Sequence, residues 1–535
     1  MRRWIWLVVV LVTLLPVAEG ASSVRGVLGA SLLVVPLLLL IAKIGRRPVS
    51  RWPELSTGAF FRVVGIVAAV ELVAAAIISH AVFGGIPHVQ DSAAQLMHAR
   101  IFALGHLWVP APHPAGFFVF PNMILGERWY SEYPPGHVAM LALGLLVHAP
   151  QLVNPILGSA SVALIALVAR ELWGPTVGAL ASVLALASPF ILFMSSEYMN
   201  HATALFAFAL ALLGYLRARR TGRLVDAAIA GFGLAWLILT RPYTAFGLAP
   251  PFALELVLAL RGDPKLLRTL WPVALGGVLG VVGMLAFNAA TTGHALRFGY
   301  VEAYGAEHLP SFGANPFGAL GQASAAVYTP VDALRVTLAG LNALNLQLLG
   351  WPVPALAVVA LPFALGIADR WCRTFAGAIA TLVVAYAAHK YHDFCFGPRY
   401  FYEGVALAIP LAARGLVALR ERFEGATLSA RAFAMVPVFG VAFSVLVCMP
   451  LLGREYASGY WGVDHHLLDE LERNHIERGV IFVDALGSVF PQNDPLLRGP
   501  IIWAWDHGEA NANLMALHPD LPAWVERDEK LVPLK

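Results

Sequence analysis

Charge is scarce in this chain. Of its 535 residues only 13% are Asp, Glu, Lys or Arg, where soluble domains carry roughly a quarter. That excludes an ordinary water-soluble fold for most of its length. The formal net charge of +3 is too small to hold a nucleic-acid backbone, so nucleic acid is not an expected partner. Three cysteines, Cys372, Cys395 and Cys448, give no disulfide framework, and no Cys-x-x-Cys pair appears. Also missing are a Gly-rich phosphate loop, an internal repeat and a large polar domain able to house a nucleotide.

What is present in excess is apolar sequence. Hydrophobic residues make up 59% of the chain and mean hydropathy is +0.70. The apolar runs are of the length, about 17–25 residues, that crosses a bilayer as helix. They predict an all-α polytopic membrane protein with about thirteen transmembrane helices, near residues 4–18, 26–42, 59–82, 154–169, 176–194, 201–216, 225–240, 243–260, 270–290, 353–368, 374–389, 402–419 and 431–451. The first run follows Met1-Arg2-Arg3 and resembles a secretory signal as much as an anchor. Short loops rich in Lys and Arg remain on the cytoplasmic side. The loops 43–51, 217–223, 261–268, 369–373 and 420–422 fit that description, which places residues 84–136 and 291–350 outside. Parity then makes 137–149 a re-entrant or bundle-side piece and 334–350 an interfacial helix. The chain divides into residues 1–58 with two N-terminal hydrophobic segments, a membrane domain over 59–451, and a small extracytoplasmic α/β unit over 452–535. In the last, Val480–Asp484 and Ile501–Trp505 read as strands.

Ionisable groups at membrane depth are costly and therefore informative. They gather on the outward side. Asp91, in His88-Val-Gln-Asp91-Ser92, stands between the end of a span and the start of a helix. It is either a simple helix cap or a general base that takes a proton from an attacking hydroxyl. Glu127 and Glu132 are the other candidate bases. Lys390 and Arg399 run against the positive-inside tendency, and a phosphate at the bilayer surface is a good reason for cations there. The duller reading pairs Arg399 with Glu403 at i,i+4. Arg241, in a tight outward turn beside Thr240 and Tyr243, is a third phosphate candidate. Glu197 and His201 occupy another such turn, as substrate contacts or as caps. His88, Tyr133, Arg297, Tyr300, His392, Tyr400 and Glu403 complete the candidate substrate-binding set. His389, His392, Asp393 and Cys395 match no strong metal-binding spacing.

Four stretches carry a family resemblance: Pro87-His-Val-Gln-Asp91, Trp129-Tyr-Ser-Glu-Tyr-Pro-Pro-Gly136, Ser195-Ser-Glu-Tyr-Met-Asn-His201 and Phe396-Gly-Pro-Arg399-Tyr-Phe-Tyr-Glu403. In this order, and all on the outward side, they resemble the polyprenyl-phosphate-dependent glycosyltransferases of the GT-C superfamily. The branch is that of protein O-mannosyltransferases and the lipid A aminoarabinose transferase, and the likeness spans residues 60–420. It implies inverting transfer of a sugar from a polyprenyl (undecaprenyl) monophosphate to a lipid, glycan or protein hydroxyl. Asp91 is then the base, and Arg399, Lys390 and Arg241 hold the donor phosphate. Asp91-Ser92 departs from the Asp-Glu pair of the protein mannosyltransferases, which weakens a protein acceptor.

The resemblance further implies a bacterial cytoplasmic membrane, with the site and the C-terminus on the periplasmic side. No cofactor is required, and a divalent metal is not favoured because the cations can take up the leaving charge. Competing readings are a transporter or flippase of lipid-linked sugars and an oligosaccharide polymerase or ligase.

Overall fold

The computed structural model describes residues 55–315, 327–422, 428–457 and 459–534. The two N-terminal runs, the basic loop 43–51 and part of the loop 291–350 lie outside them. The described chain is an all-α bundle with a strand-containing C-terminal region. Seven of its helices are long and apolar enough to cross a membrane.

The first is α1 (Thr57–Ala81), started by the Ser56 side chain, which accepts from the Ala59 amide. The chain leaves it through Gly84 and Gly85, both in the left-handed region, and enters α2 (Gln90–Ala103). A small antiparallel sheet follows, with β3 (Arg128–Ser131) between β1 (Val109–Pro110) and β2 (Met123–Leu125). The next helix, α3 (Pro135–Leu146), has 12 residues. At 1.5 Å per residue that is about 18 Å, too short for a bilayer core.

Then come α4 (Val153–Trp173) and α5 (Pro175–Leu186). The run expected as one span over 176–194 is broken after α5. Ser188 caps a separate short helix, Pro189–Met194, by accepting from the Ile191 amide. Four helices succeed one another with tight turns: α6 (His201–Thr221), α7 (Leu224–Thr240), α8 (Pro242–Gly262) and α9 (Leu266–Thr292). Helix α10 (Pro330–Gln347), closed by a Thr329–Asp332 capping box, covers most of the expected interfacial segment. The predicted span 353–368 is not one. It is two short helices, Ala355–Val359 and Leu361–Ala364, because Pro354 and Pro362 lack the amide hydrogens a continuous helix needs. Helices α11 (Arg370–Ala387) and α12 (Val405–Arg422) and an irregular helical stretch around Met435–Gly462 complete the bundle.

Two sets of helix ends are distinguishable by what lies there. At one end Arg219 pairs with Glu255 (2.6 Å), Arg220 and Arg217 approach Glu171, and the Trp173 indole donates to Asp369 (2.7 Å). Two of the expected basic loops, 217–223 and 369–373, thus lie at this end. At the other end lie the turns 195–200 and 240–242, the end of α11 and the start of α12.

The C-terminal region forms a four-stranded sheet of order β5-β4-β6-β7. Its strands are β4 (Gly479–Val483), β5 (Ile501–Trp505), β6 (Ala523–Arg527) and β7 (Lys530–Pro533). The last two were not anticipated. β4 is parallel to both neighbours and fully buried. This unit shares one hydrophobic core with residues 93–133: Phe117, Phe118, Phe120 and Trp129 pack with Phe482, Phe490 and Trp503. Phe120 and Phe490 stack at 4.0 Å.

Helices α7 and α9 touch through glycine. A Cβ on Gly276 would lie 2.1 Å from the Gly231 carbonyl oxygen, whereas one on Gly277 would meet only a Leu234 methyl at 3.4 Å. Gly276→Ala is therefore expected to lower the thermal midpoint in detergent, at an overpacking cost of about 1–3 kcal/mol. Gly277→Ala is expected to be near neutral, and equal midpoints for the two variants would refute this packing.

Candidate active site

Asp91 lies in the first turn of α2 and does not cap it. The cap residue is Val89. Its carboxylate instead accepts from Arg399 Nη1 at 2.9 Å, across 308 residues of sequence. On its other side Arg399 brings Nε to 2.5 Å from Asp393, and its guanidinium lies over the Tyr400 ring at 5.1 Å. The cation thus bridges two carboxylates, with Arg399 and Asp393 buried and the Asp91 side chain 20% exposed. Asp91 is the member of the trio that a ligand can reach.

The backbone explains why Arg399 points inward. Phe396 has φ +57° and Gly397 has φ +126°, and a Cβ on Gly397 would strike Phe190 and Gln347. Pro398 then feeds a 3-10 turn, Arg399–Gly404. In such a turn residues three apart eclipse, so positions i and i+4 are about a third of a turn out of line. The expected Arg399–Glu403 pair does not form. Glu403 lies 3.2 Å from Arg241 Nε and 3.3 Å from His201 Nδ1.

Arg241 is the centre of a second cluster. It donates to Asn200 (3.1 Å), Thr244 (3.1 Å) and the Tyr386 hydroxyl (2.8 Å), and lies 3.1 Å from His201 Nε2. Arginine only donates, so His201 Nε2 accepts and its proton is on Nδ1, facing Glu403. The Tyr386 and Tyr400 rings, 5.0 Å apart, join the two clusters.

Beside Asp91 lies Glu132, buried, its Oε2 without a hydrogen-bond partner among the described residues. Burial, with the Asp91 charge adding to it, holds its carboxyl well above the usual carboxylate range. Asp91 behaves in the opposite way. Burial raises it, but the Arg399 charge and hydrogen bonds from Tyr133 and Arg399 outweigh that and bring it below its ordinary value. Asp393 ends up raised, since burial and the Asp91 charge prevail over Arg399. Gly299 makes the approach to Glu132 feasible: a Cβ there would lie 2.4 Å from the Glu132 carbonyl oxygen. That contact brings Tyr300 edge-on to Tyr133 at 5.9 Å.

Other candidates take different places. Glu197 accepts from the His88 amide (2.9 Å) and the Ser92 hydroxyl (2.7 Å), fastening the chain on either side of Asp91. Burial pushes it up to about 7 against those hydrogen bonds. The His88 ring faces the Phe83 carbonyl at 3.0 Å, and His392 faces that of Tyr386 at 3.2 Å. Lys390 is buried, and its ammonium donates to the Glu307 carbonyl at 2.7 Å. Arg297 pairs with Glu302 in an exposed turn. Glu127 is exposed in the turn between β2 and β3. Among the described residues no group of three or more His, Cys, Asp or Glu is arranged to hold a metal ion. Tyr386, and Asp393 as a partner of Arg399, were missed from sequence. Asp393 sits in the polar stretch 389–403 and Tyr386 three residues before it, but pairing between distant loops has no spacing signature.

Glu197→Ala is expected to leave the His88 amide unpaired, at about 1–3 kcal/mol for a buried group, while the Ser92 hydroxyl keeps the Val89 carbonyl as acceptor at 2.8 Å. Faster hydrogen exchange over residues 88–92 would register it, and unchanged protection there would show that Glu197 does not hold the turn.

The family model described as dolichyl-phosphate-mannose-protein mannosyltransferase matches residues 133–287, less than a third of the chain. No curated protein sequence matches. Among solved structures, ArnT from Cupriavidus metallidurans bound to undecaprenyl phosphate superposes with a TM-score of 0.57 at 14% identity, over 89% of this chain and 94% of that one. Its apo state gives 0.55 at 14% identity, over 88% and 93%. An Archaeoglobus fulgidus oligosaccharyltransferase gives a weaker 0.47 at 12% identity, over 88% and 69%. The chain shares the overall fold of ArnT, with its buried ionic clusters at one end of the helical bundle.

Proposed function

We infer that the protein transfers a sugar from a polyprenyl (undecaprenyl) monophosphate to a hydroxyl of a lipid, glycan or protein acceptor, with inversion at the anomeric carbon. The observation that carries this reading is the pair of neighbouring carboxyl groups driven in opposite directions, Asp91 downward and Glu132 upward. Environments that separate two titrating groups in this way assign acid and base roles. Asp91, ionised and partly exposed, takes the acceptor proton as the oxygen attacks C1. Glu132 retains its proton to higher pH and donates a hydrogen bond toward the departing phosphate oxygen.

Donor capacity orders the phosphate candidates. Arg399 and Arg241 spend their N–H groups on carboxylates and neighbours. The Lys390 ammonium has three donors, one of them directed to Glu307. Lys390 is therefore the direct phosphate ligand, and the two arginines contribute field. Tyr133, Tyr300, Tyr400 and the other aromatic and polar neighbours shape the sugar site. An apolar groove of about 310 Å³ between α8 and α11, lined by Phe246, Pro250, Val384 and Ala385, suits the polyprenyl chain. It begins one turn from Arg241. That ArnT was solved with undecaprenyl phosphate supports this donor class. The basic residues at the opposite helix ends support an inside-positive orientation, with the site and the C-terminus on the periplasmic side of a bacterial inner membrane. The cations can meet the leaving charge, so the reading requires no divalent metal.

Radiolabelled transfer from a panel of undecaprenyl-phosphate sugars tests it. Asp91→Asn is expected to reduce kcat by about 10²–10⁴-fold, the usual contribution of a general base, with donor binding retained. Full activity in that variant would remove Asp91 from the chemistry. In wild type the rate should fall on the alkaline side as Glu132 loses its proton, and Glu132→Gln should abolish that limb. A wild-type limb that persists in Glu132→Gln belongs to another group.

A further inference from the structure

We propose that Tyr460, at the end of the last helical stretch of the bundle, is a positioning residue whose hydroxyl clamps the loop carrying Asp393 and Arg399. The inference rests on the reading above for what that loop does. Tyr460 Oη donates to the Phe394 carbonyl at 3.1 Å and accepts from the Phe396 amide at 3.2 Å. One hydroxyl thereby satisfies both backbone groups that flank Cys395, whose thiol in turn donates to Asp393 at 3.3 Å. Beyond Cys395 the chain passes directly to Arg399, and from Arg399 to Asp91.

The backbone being clamped is one that a polypeptide does not hold unaided. Phe396 is a bulky residue in the left-handed region, φ +57°, followed by Gly397 at φ +126°. Such conformations persist only where surroundings over-determine them. The clamping side is constrained in kind: Tyr460 is flanked by Gly459 at φ +73° and Trp461 at φ +57°. Two strained turns therefore face one another, and the hydrogen bonds that join them run through the Tyr460 hydroxyl.

Packing aligns the same residue with the Asp91 loop. The Tyr460 ring lies 4.9 Å from that of Phe396, and Phe396 lies 5.2 Å from Phe83. Phe83 also supplies the carbonyl that faces His88. The Tyr460 carbonyl is 3.5 Å from His88 Nδ1. A neutral imidazole has one N–H, and the shorter Phe83 contact claims it, so this approach is packing rather than a hydrogen bond. The connection to the reaction runs through the Arg399 loop. Losing the hydroxyl lets Phe396 relax and moves Arg399 relative to Asp91 without removing any group that touches substrate.

The test compares the full-length wild type with Tyr460→Phe, which keeps the ring, and with Tyr456→Phe, whose ring belongs to the same cluster, 4.7 Å from Tyr460. Two readouts are taken: transfer from the undecaprenyl-phosphate sugar that the wild type uses, and hydrogen exchange over residues 393–400. For Tyr460→Phe the expected result is a kcat lower by about ten- to a hundredfold, as misplacement by an ångström produces. The donor KM should stay within about twofold, and exchange over 393–400 should accelerate. Tyr456→Phe should behave as wild type in both. A Tyr460→Phe enzyme with unchanged kcat and exchange overturns the proposal. So does a rise in KM at constant kcat, which would make Tyr460 a donor-binding group. Should the wild type transfer no sugar from any donor, the functional reading above fails, and the exchange measurement alone decides the clamp.

Discussion

A guanidinium cannot shed its proton to escape burial, and the Arg399 side chain is 6% exposed. Everything near it answers that constraint. Asp91 and Asp393 supply opposite charge, Tyr400 supplies a π-face, and Tyr133 donates a hydrogen bond to the carboxylate that Arg399 holds. The desolvation of such a trio is expensive, and removing one partner of a buried pair is more so. A site built this way is fixed in position because its alternatives are worse. The same reasoning holds for Arg241, shared among Glu403, His201, Asn200 and Tyr386. Two rigid cations at one end of a bundle give a preorganised field, the condition under which electrostatic stabilisation of developing negative charge is effective.

The two clusters depend on distinct parts of the sequence, and the fold brings them together by alternation. Helices α6, α8 and α12 begin at this end, and α7 and α11 finish there, so their tight turns meet. Polar side chains too costly for the middle of a helix are accommodated at these turns, where backbone groups need partners in any case. Glu197 serves both ends of that requirement, holding the His88 amide and the Ser92 hydroxyl.

Much of the bundle was legible from hydropathy, since runs such as 59–82 and 270–290 became α1 and α9 with ends shifted by a few residues. Hydropathy failed where proline decides. The stretch 353–368 is apolar enough to span, yet Pro354 and Pro362 divide it. The short strands of residues 109–131 escaped notice because their burial comes from the C-terminal unit, not from an alternating pattern of their own. At the site, residue types were readable but partnerships were not. The i,i+4 spacing of Arg399 and Glu403 suggested a pair that a 3-10 turn forbids, and the true partner, Asp91, is 308 residues away.

The core shared by residues 93–133 and 467–531 has a consequence for biosynthesis. Phe117, Phe118 and Phe120 emerge early from the ribosome, but the strands that cover them are made only after the helical bundle. For most of translation this segment lacks the apolar surface it closes upon. Long-range contacts of this kind form late and leave intermediates exposed. The bundle can insert helix by helix while the segment bearing Asp91 waits, and the finished site appears only when those strands dock.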